Sequence, residues 1–337
     1  MSTSSNSEIP SLDDAICIIG AGSFARAVGR VLTHTDHKVR MWARSTKAQA
    51  HLKKEIKGAE IFSDLGEAVS RARMVVFGVN IAGLAECAEA AAPFLRGDQV
   101  LLHGIRGVAE GFMLPHEVIC TKTSARKIAV FGGPLYFDEL KKGKPMIAQV
   151  ASRFDEAVRE VKDVVKGTPV KVHASKDVVG VELCGVFSNI THLATGLSQA
   201  VDLGETARGV LSTHGLSEAQ ILGVHLGANL ATFSGLAGIA DLIPRPIKAT
   251  ARHHKVAKGI VEGKSLEELL KKVDGSVEGV SAVKEAAEIA RRHHLHLPLV
   301  FAVDAIMHHG KDPREELEAV LQMDLHLGKE ALSHASS

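Results

Sequence analysis

The stretch Ala15-Ile16-Cys17-Ile18-Ile19-Gly20-Ala21-Gly22-Ser23-Phe24-Ala25 decides the fold. Its first five residues are uninterrupted apolar chain and read as a buried strand. A helical pattern runs on from Ala25 to Leu32. Strand, tight glycine turn and helix in that order make a dinucleotide site. Gly20 permits the sharp turn. Gly22 lets a pyrophosphate approach the backbone, where any side chain would collide with it. Ala25 is small enough for helix and strand to pack closely. The helix N-terminus, Ser23 to Ala25, offers free N–H groups and the positive end of the dipole to the phosphates.

Outward from this turn, strand and helix signals alternate. Val39–Trp42, Met74–Val79, Val100–His103, Ile128–Phe131 and Met146–Val150 read as further strands, with helical patterns such as Gly83–Phe94 between most of them. This alternation implies an α/β fold, a Rossmann-type doubly wound parallel sheet with helices on both faces. Its ligands gather at the carboxyl ends of the strands. After Lys176 strand signals nearly vanish. Val178–Ala200, Arg208–Leu226, Ser265–Lys272 and Val280–His293 read as helices. The expected organisation is a dinucleotide-binding domain over 10–176 and an all-helical substrate domain over 177–330, with the cleft between them.

Composition narrows the function classes. The chain of 337 residues carries a net charge of +1, so no global basic field attracts nucleic acid or an anionic membrane. One Trp and one Tyr argue against base-stacking surfaces. Cys17, Cys87, Cys120 and Cys184 are scattered without a CxxC and read as buried, reduced thiols. Met1–Ser7 reads as a loose polar tail without a secretory pattern, and the segment after Asp324 as a frayed helical end. No apolar run is expected to span a bilayer. These features point to a cytoplasmic protein. His253-His254, His293-His294-His296 and His308-His309 cluster without HExxH spacing, so no metal is expected.

The acidic residue usually found about twenty positions beyond the glycine turn is missing. The second strand instead ends Trp42-Ala43-Arg44-Ser45-Thr46-Lys47. Arg44, Ser45 and Lys47 could meet the 2′-phosphate of NADP, or form an ordinary solvated loop. The cofactor is thus NAD or NADP.

Taken together, these residues resemble the bacterial-type NAD(P)-dependent glycerol-3-phosphate dehydrogenases, from about Ala15 to Met323. The resemblance rests on GAGSFARA (Gly20–Ala27), VRMWAR (Val39–Arg44), FGGPLYFDE (Phe131–Glu139) and DVVGVELCGVFSNI (Asp177–Ile190). It continues through THGLSEA (Thr213–Ala219), TFSGLAGIADLI (Thr232–Ile243), SVEGV (Ser276–Val280) and Leu297-Pro298. It implies hydride transfer between nicotinamide and a phosphorylated small alcohol or ketone, glycerolipid metabolism and a homodimer.

Residue by residue, the resemblance implies roles and exposes departures. The family's acid/base lysine, in a GGALKN motif, is here Ser188, followed by a retained Asn189. A serine hydroxyl has far too high a pKa to carry the proton unaided. The second lysine, in a KG(I/L) motif, is Arg106, which keeps charge but is a poor proton carrier. Asp241 matches the catalytic-site aspartate. Arg252 matches the arginine that contacts substrate phosphate and cofactor, and Glu278 a cofactor-side glutamate. Arg245 replaces a threonine, His253 an asparagine, and Asn80 a proline. His192 lies four residues after Ser188 and shares its helix face. It is the candidate proton carrier, with Asp241 orienting it, or else a packed helix histidine. Arg106, Arg245 and Arg252 could form an anion pocket, while Lys248 and Lys255 read as solvated charges, or as charges that reach the cleft. Two functions follow as expectations: a dehydrogenase of this type, or a catalytically silent relative that binds nucleotide as a sensor or scaffold.

Overall fold

Side chains of β1 (Asp13–Ile19) alternate between two cores. Ile16 and Ile18 join Met74, Val76, Val100 and Leu102 on one face of the sheet. Cys17 and Ile19 join Val75, Phe77 and Leu101 on the other. A period of two with burial on both faces is what a continuous apolar run produces in a parallel sheet covered by helices.

The computed structural model describes residues 13–140, 142–242, 252–273 and 275–325. The expected N-terminal tail and the segment after Leu325 lie outside them. The first half runs α1 (Ser23–Leu32), β2 (Lys38–Trp42), α2 (Thr46–Glu55), β3 (Glu60–Phe62), α3 (Leu65–Val69), β4 (Ala72–Phe77) and α4 (Ile81–Ala91). It continues with β5 (Val100–His103), α5 (Pro115–Lys122), β6 (Ile128–Gly132), α6 (Phe137–Leu140), β7 (Met146–Ala151), α7 (Asp155–Val164) and β8 (Val170–Ser175). The second half holds α8 (Val178–Ala200), α9 (Gly204–His225), α10 (Leu230–Phe233), α11 (Ile239–Leu242) and α12 (Arg252–Val261). It closes with α13 (Leu266–Lys272), α14 (Glu278–Arg292), α15 (Pro298–His309) and α16 (Pro313–Leu321).

The eight strands lie in the order β3-β2-β1-β4-β5-β6-β7-β8. Chain connections run outward in opposite directions from β1 and β4, so the switch point falls between their carboxyl ends. One pair departs from the expected parallel sheet: β7 is antiparallel to β6. The link between them carries only the four-residue α6, too little for the crossover that a parallel return requires. The two edge strands, β3 and β8, are also additional to the expected set. β3 has three residues, and β8 alternates apolar and polar side chains at the far edge, where half of each strand is open to water.

Asp177 opens the helical half. Its Oδ1 accepts the Gly180 N–H at 2.9 Å, and its Oδ2 accepts the Asn229 N–H at 2.9 Å and the Thr232 hydroxyl at 2.6 Å. One carboxylate therefore caps α8 and ties it to α10. By length and composition α8 could cross a bilayer, contrary to expectation, yet 83% of its apolar window is buried inside the protein. It is the central core helix, packed on α9, α12 and α14. Cys120 is also a correction: it is exposed, because α5 turns Val118 and Ile119 inward and Glu117, Cys120 and Thr121 outward.

Candidate active site

The glycine turn closes at the switch point. Gly20 has φ +117°, and a Cβ there would lie 2.6 Å from the Gly78 carbonyl oxygen, so only glycine fits. The Gly78 N–H donates to Ile19 O at 2.8 Å, joining the ends of β1 and β4. Gly22 differs: its φ of −68° suits any residue. Its bareness instead leaves the N-terminus of α1 open. No side chain caps that helix, no acid stands in its first turn, and Gly22 and Ser23 are exposed. Ala25 is fully buried, where a Cβ on Gly78 would meet it at 2.5 Å. The Phe24 ring packs at 6.1 Å from Phe131 and 5.9 Å from Phe137, so what it turns to the cleft is its backbone. These uncapped N–H groups behind a side-chain-free step fit the pyrophosphate of a dinucleotide.

At the end of β2 the three candidate residues have separate fates. Ser45 caps α2 by accepting the Ala48 N–H at 3.2 Å. Arg44 is exposed and donates to Glu86 Oε2 at 2.6 Å. Lys47 is exposed.

The substrate-side residues come from four places. Arg106, on the loop after β5, forms a forked pair with Asp241 of α11: Nη1 donates to Oδ1 at 3.3 Å, and Nη2 contacts Oδ2 more closely. The Arg106 carbonyl accepts from Asn189 Nδ2 at 3.0 Å. Its stem lies over Gly185, where a Cβ would come within 3.2 Å of it. Ser188 is fully buried one residue before Asn189, and its Oγ lies 3.5 Å from His192 Nδ1. Arg252 begins α12, is exposed, and donates to the Ser276 carbonyl at 3.0 Å. Thus Arg106, Asp241, Ser188, Asn189 and His192 come together. Arg245 and Lys248 lie outside the described residues, and Lys255 is exposed.

Two carboxylates hold this frame. Glu278 Oε1 accepts the Ile81 N–H at 3.0 Å, so the first turn of α14 grips the first turn of α4. Burial raises its pKa, against the lowering effect of backbone N–H groups of Ile81 and Arg106 and of the two arginines. Glu182 on α8 was not among the expected site residues. It is fully buried, its Oε2 lies 2.6 Å from His116 Nδ1, and its Oε1 accepts the His116 N–H at 2.8 Å. His103, at the end of β5, brings Nε2 within 3.0 Å of Oε1. Burial works against ionisation of both groups, but mutual hydrogen bonds and charge outweigh it: Glu182 is lowered and His116 raised. A signal was present in the sequence. Glu182 is the sole Asp, Glu, Lys or Arg within the 23 residues of α8.

A doubly wound sheet with an open helix N-terminus at its switch point, joined to a helical half whose Asp241 and Asn189 meet the loop after β5, defines a dinucleotide-binding protein. The family model for the N-terminus of NAD-dependent glycerol-3-phosphate dehydrogenase matches residues 15–159, and that for its C-terminus residues 177–318. A glycerol-3-phosphate dehydrogenase, NAD(P)+, from Alcanivorax borkumensis is 31% identical over 319 residues, covering 90% of this chain and 92% of the relative. Another, from Janthinobacterium sp. (strain Marseille), is 30% identical over 327 residues, covering 92% and 98%. The crystal structure of a glycerol-3-phosphate dehydrogenase from Coxiella burnetii superposes with a TM-score of 0.85 at 26% identity, covering 92% of this chain and 99% of that one. The chain belongs to the NAD-dependent glycerol-3-phosphate dehydrogenase family.

Proposed function

We propose that the protein is an NAD(P)-dependent dehydrogenase that interconverts a phosphorylated small alcohol and its ketone, with glycerol 3-phosphate and dihydroxyacetone phosphate as the parent pair. The observation that carries this reading is the knot of Arg106, Asp241 and Asn189 beside Ser188 and His192, in a chain whose two halves both match the family. The bound cofactor supplies the nicotinamide carbon that accepts or gives hydride. Everything else falls to the chain's own backbone and side chains.

The backbone of Gly20, Gly22, Ser23, Phe24 and Ala25 holds the pyrophosphate, and Arg44 the adenosine ribose end. Asp241 clamps Arg106, and Asn189 fixes the loop backbone at that residue, so the guanidinium edge is held in one orientation. With Arg106 neutralised by its own partner, Arg252 takes the larger share of the substrate anion. His192 carries the proton. An imidazole is the side chain suited to proton transfer near neutral pH, and Ser188 Oγ, 3.5 Å from Nδ1, can pass a hydrogen bond toward the substrate oxygen. Glu278 acts through the frame by keeping α4 and the cleft in register.

The test is absorbance loss of NADH or NADPH with dihydroxyacetone phosphate, run beside a nucleotide-binding titration. Turnover is expected, with Asp241→Asn lowering kcat about 10²-fold or more and leaving nucleotide affinity within about twofold. Tight nucleotide binding with no turnover of this or any related phosphorylated ketone would overturn the reading in favour of a silent, nucleotide-binding relative.

A further inference from the structure

We propose that anion binding in this cleft is coupled to uptake of a proton by the His253 imidazole, with His192 as its electrostatic partner. The proposal rests on the reading above, that the substrate carries a phosphoryl group. Its first observation is an orphan: His253 Nε2 is buried and has no hydrogen-bond partner. Such atoms are rare in folded proteins and call for an explanation, of which an absent ligand is one. The second observation is its setting. Nε2 faces the first turn of α14 at Gly279, where a Cβ would come within 3.1 Å of it and within 2.8 Å of the Asn189 carbonyl oxygen. Glycine there lets the first turn of α14 pack directly on α8 and α12, beside the residues assigned to the substrate.

The groups facing the imidazole come from every element around it. α8 contributes His192, with ring centroids 6.2 Å apart, and Ser188 next to it. The loop after β5 contributes Arg106, whose charge is balanced by Asp241 of α11. α12 itself contributes Arg252 and His254, while the Glu278 carboxylate, next to Gly279 on α14, is engaged by the Ile81 N–H. Burial, then His192, Arg106, Arg252 and His254, hold the His253 pKa well below its usual value. The imidazole is therefore neutral at neutral pH. A phosphate dianion reverses that field. It offers an acceptor to the orphan nitrogen and offsets the cations that oppose protonation. The ring then takes one proton from solvent and donates through Nε2–H to a phosphoryl oxygen. Binding and protonation favour each other reciprocally.

Calorimetry of the protein loaded with saturating NADH and titrated with glycerol 3-phosphate tests this, because two reduced partners cannot react. The titration is run at pH 7.5, where the ester is already a dianion, in two buffers of different ionisation enthalpy. The expected result is uptake of about one proton per site and affinity rising up to about tenfold per unit fall in pH. His253→Asn, which hydrogen-bonds but does not titrate, is expected to bind with no uptake and a flat profile. His192→Asn removes a repelling neighbour and is expected to move the rise in affinity to higher pH. Wild-type binding without proton uptake, or His253→Asn with wild-type uptake, would overturn the proposal alone. An unmoved profile in His192→Asn would also overturn the coupling. Failure of the ester to bind at any pH would overturn it together with the function it rests on.

Discussion

Glu182 shows what one buried charge can organise. It draws His103 at the end of β5 and His116 at the start of α5 onto α8, three residues ahead of the Gly185 on which Arg106 lies. Removing one partner of such a cluster strands the others in a dry interior. Glu182→Gln is expected to cost about 3 kcal/mol, read by urea unfolding. The pH window follows from the two shifts. The lowered Glu182 contributes stability above its unfolded value of 4.5, lost as pH falls through its folded pKa. The raised His116 contributes below its unfolded value of 6.5, lost as pH rises through its folded pKa. The difference between wild type and Glu182→Gln should be largest between these values and shrink on either side. A difference that is flat from pH 3 to pH 9 would rule out a charged pair.

At the scale of elements, α1 can separate stability from function. Gly22 has the extended geometry of an N-cap, but no cap. Gly22→Asp supplies one, and should change stability by only about a few tenths of a kcal/mol, since its Cβ would sit 3.3 Å from the Gly78 carbonyl oxygen. The same carboxylate occupies the path of the pyrophosphate and cancels the dipole, so nucleotide affinity should fall at least about tenfold. A melting curve and a fluorescence titration on one sample decide it. Equal losses in both would mean that Gly22 serves the fold.

The elements also show what the sequence made legible. The turn at Gly20 and the helix Val178–Ala200 are legible directly, because an uninterrupted apolar run and a long segment with a single charged residue have few ways to be buried. β3 is not, because three half-exposed residues carry no periodicity. The antiparallel turn of β7 depends on what the link before it can span, which strand propensity does not encode. Within the site, the residues adjoining a motif could be named, but their partners could not. The pairing of Arg106 with Asp241 joins positions 135 apart in the chain. The orphan nitrogen of His253 exists only because α8, α12 and α14 converge on it.

Across the whole molecule, Glu278 is the bolt between halves. Its carboxylate accepts the Ile81 N–H and lies with the backbone of Arg106, both in the sheet half, while its backbone starts α14. Glu278→Ala leaves those N–H groups unpaired, and should cost about 1–3 kcal/mol for each that stays buried. Nucleotide affinity should fall with it, because α4 follows β4 at the switch point. Unchanged urea unfolding and unchanged affinity would show that packing alone joins the halves.

The division of labour between the halves has a consequence for recombination. On the proposed reading, cofactor contacts gather on the strand ends of the first half, and proton and anion chemistry on the helices of the second, with Arg106 as the exception. A chimera made by exchanging whole halves with a lysine-bearing relative would therefore split its inheritance, taking nucleotide preference from one parent and substrate chemistry from the other. Residue 106 would be the seam. It is encoded with the first parent but answers to Asp241 of the second, so it must be matched to the helical half that it serves.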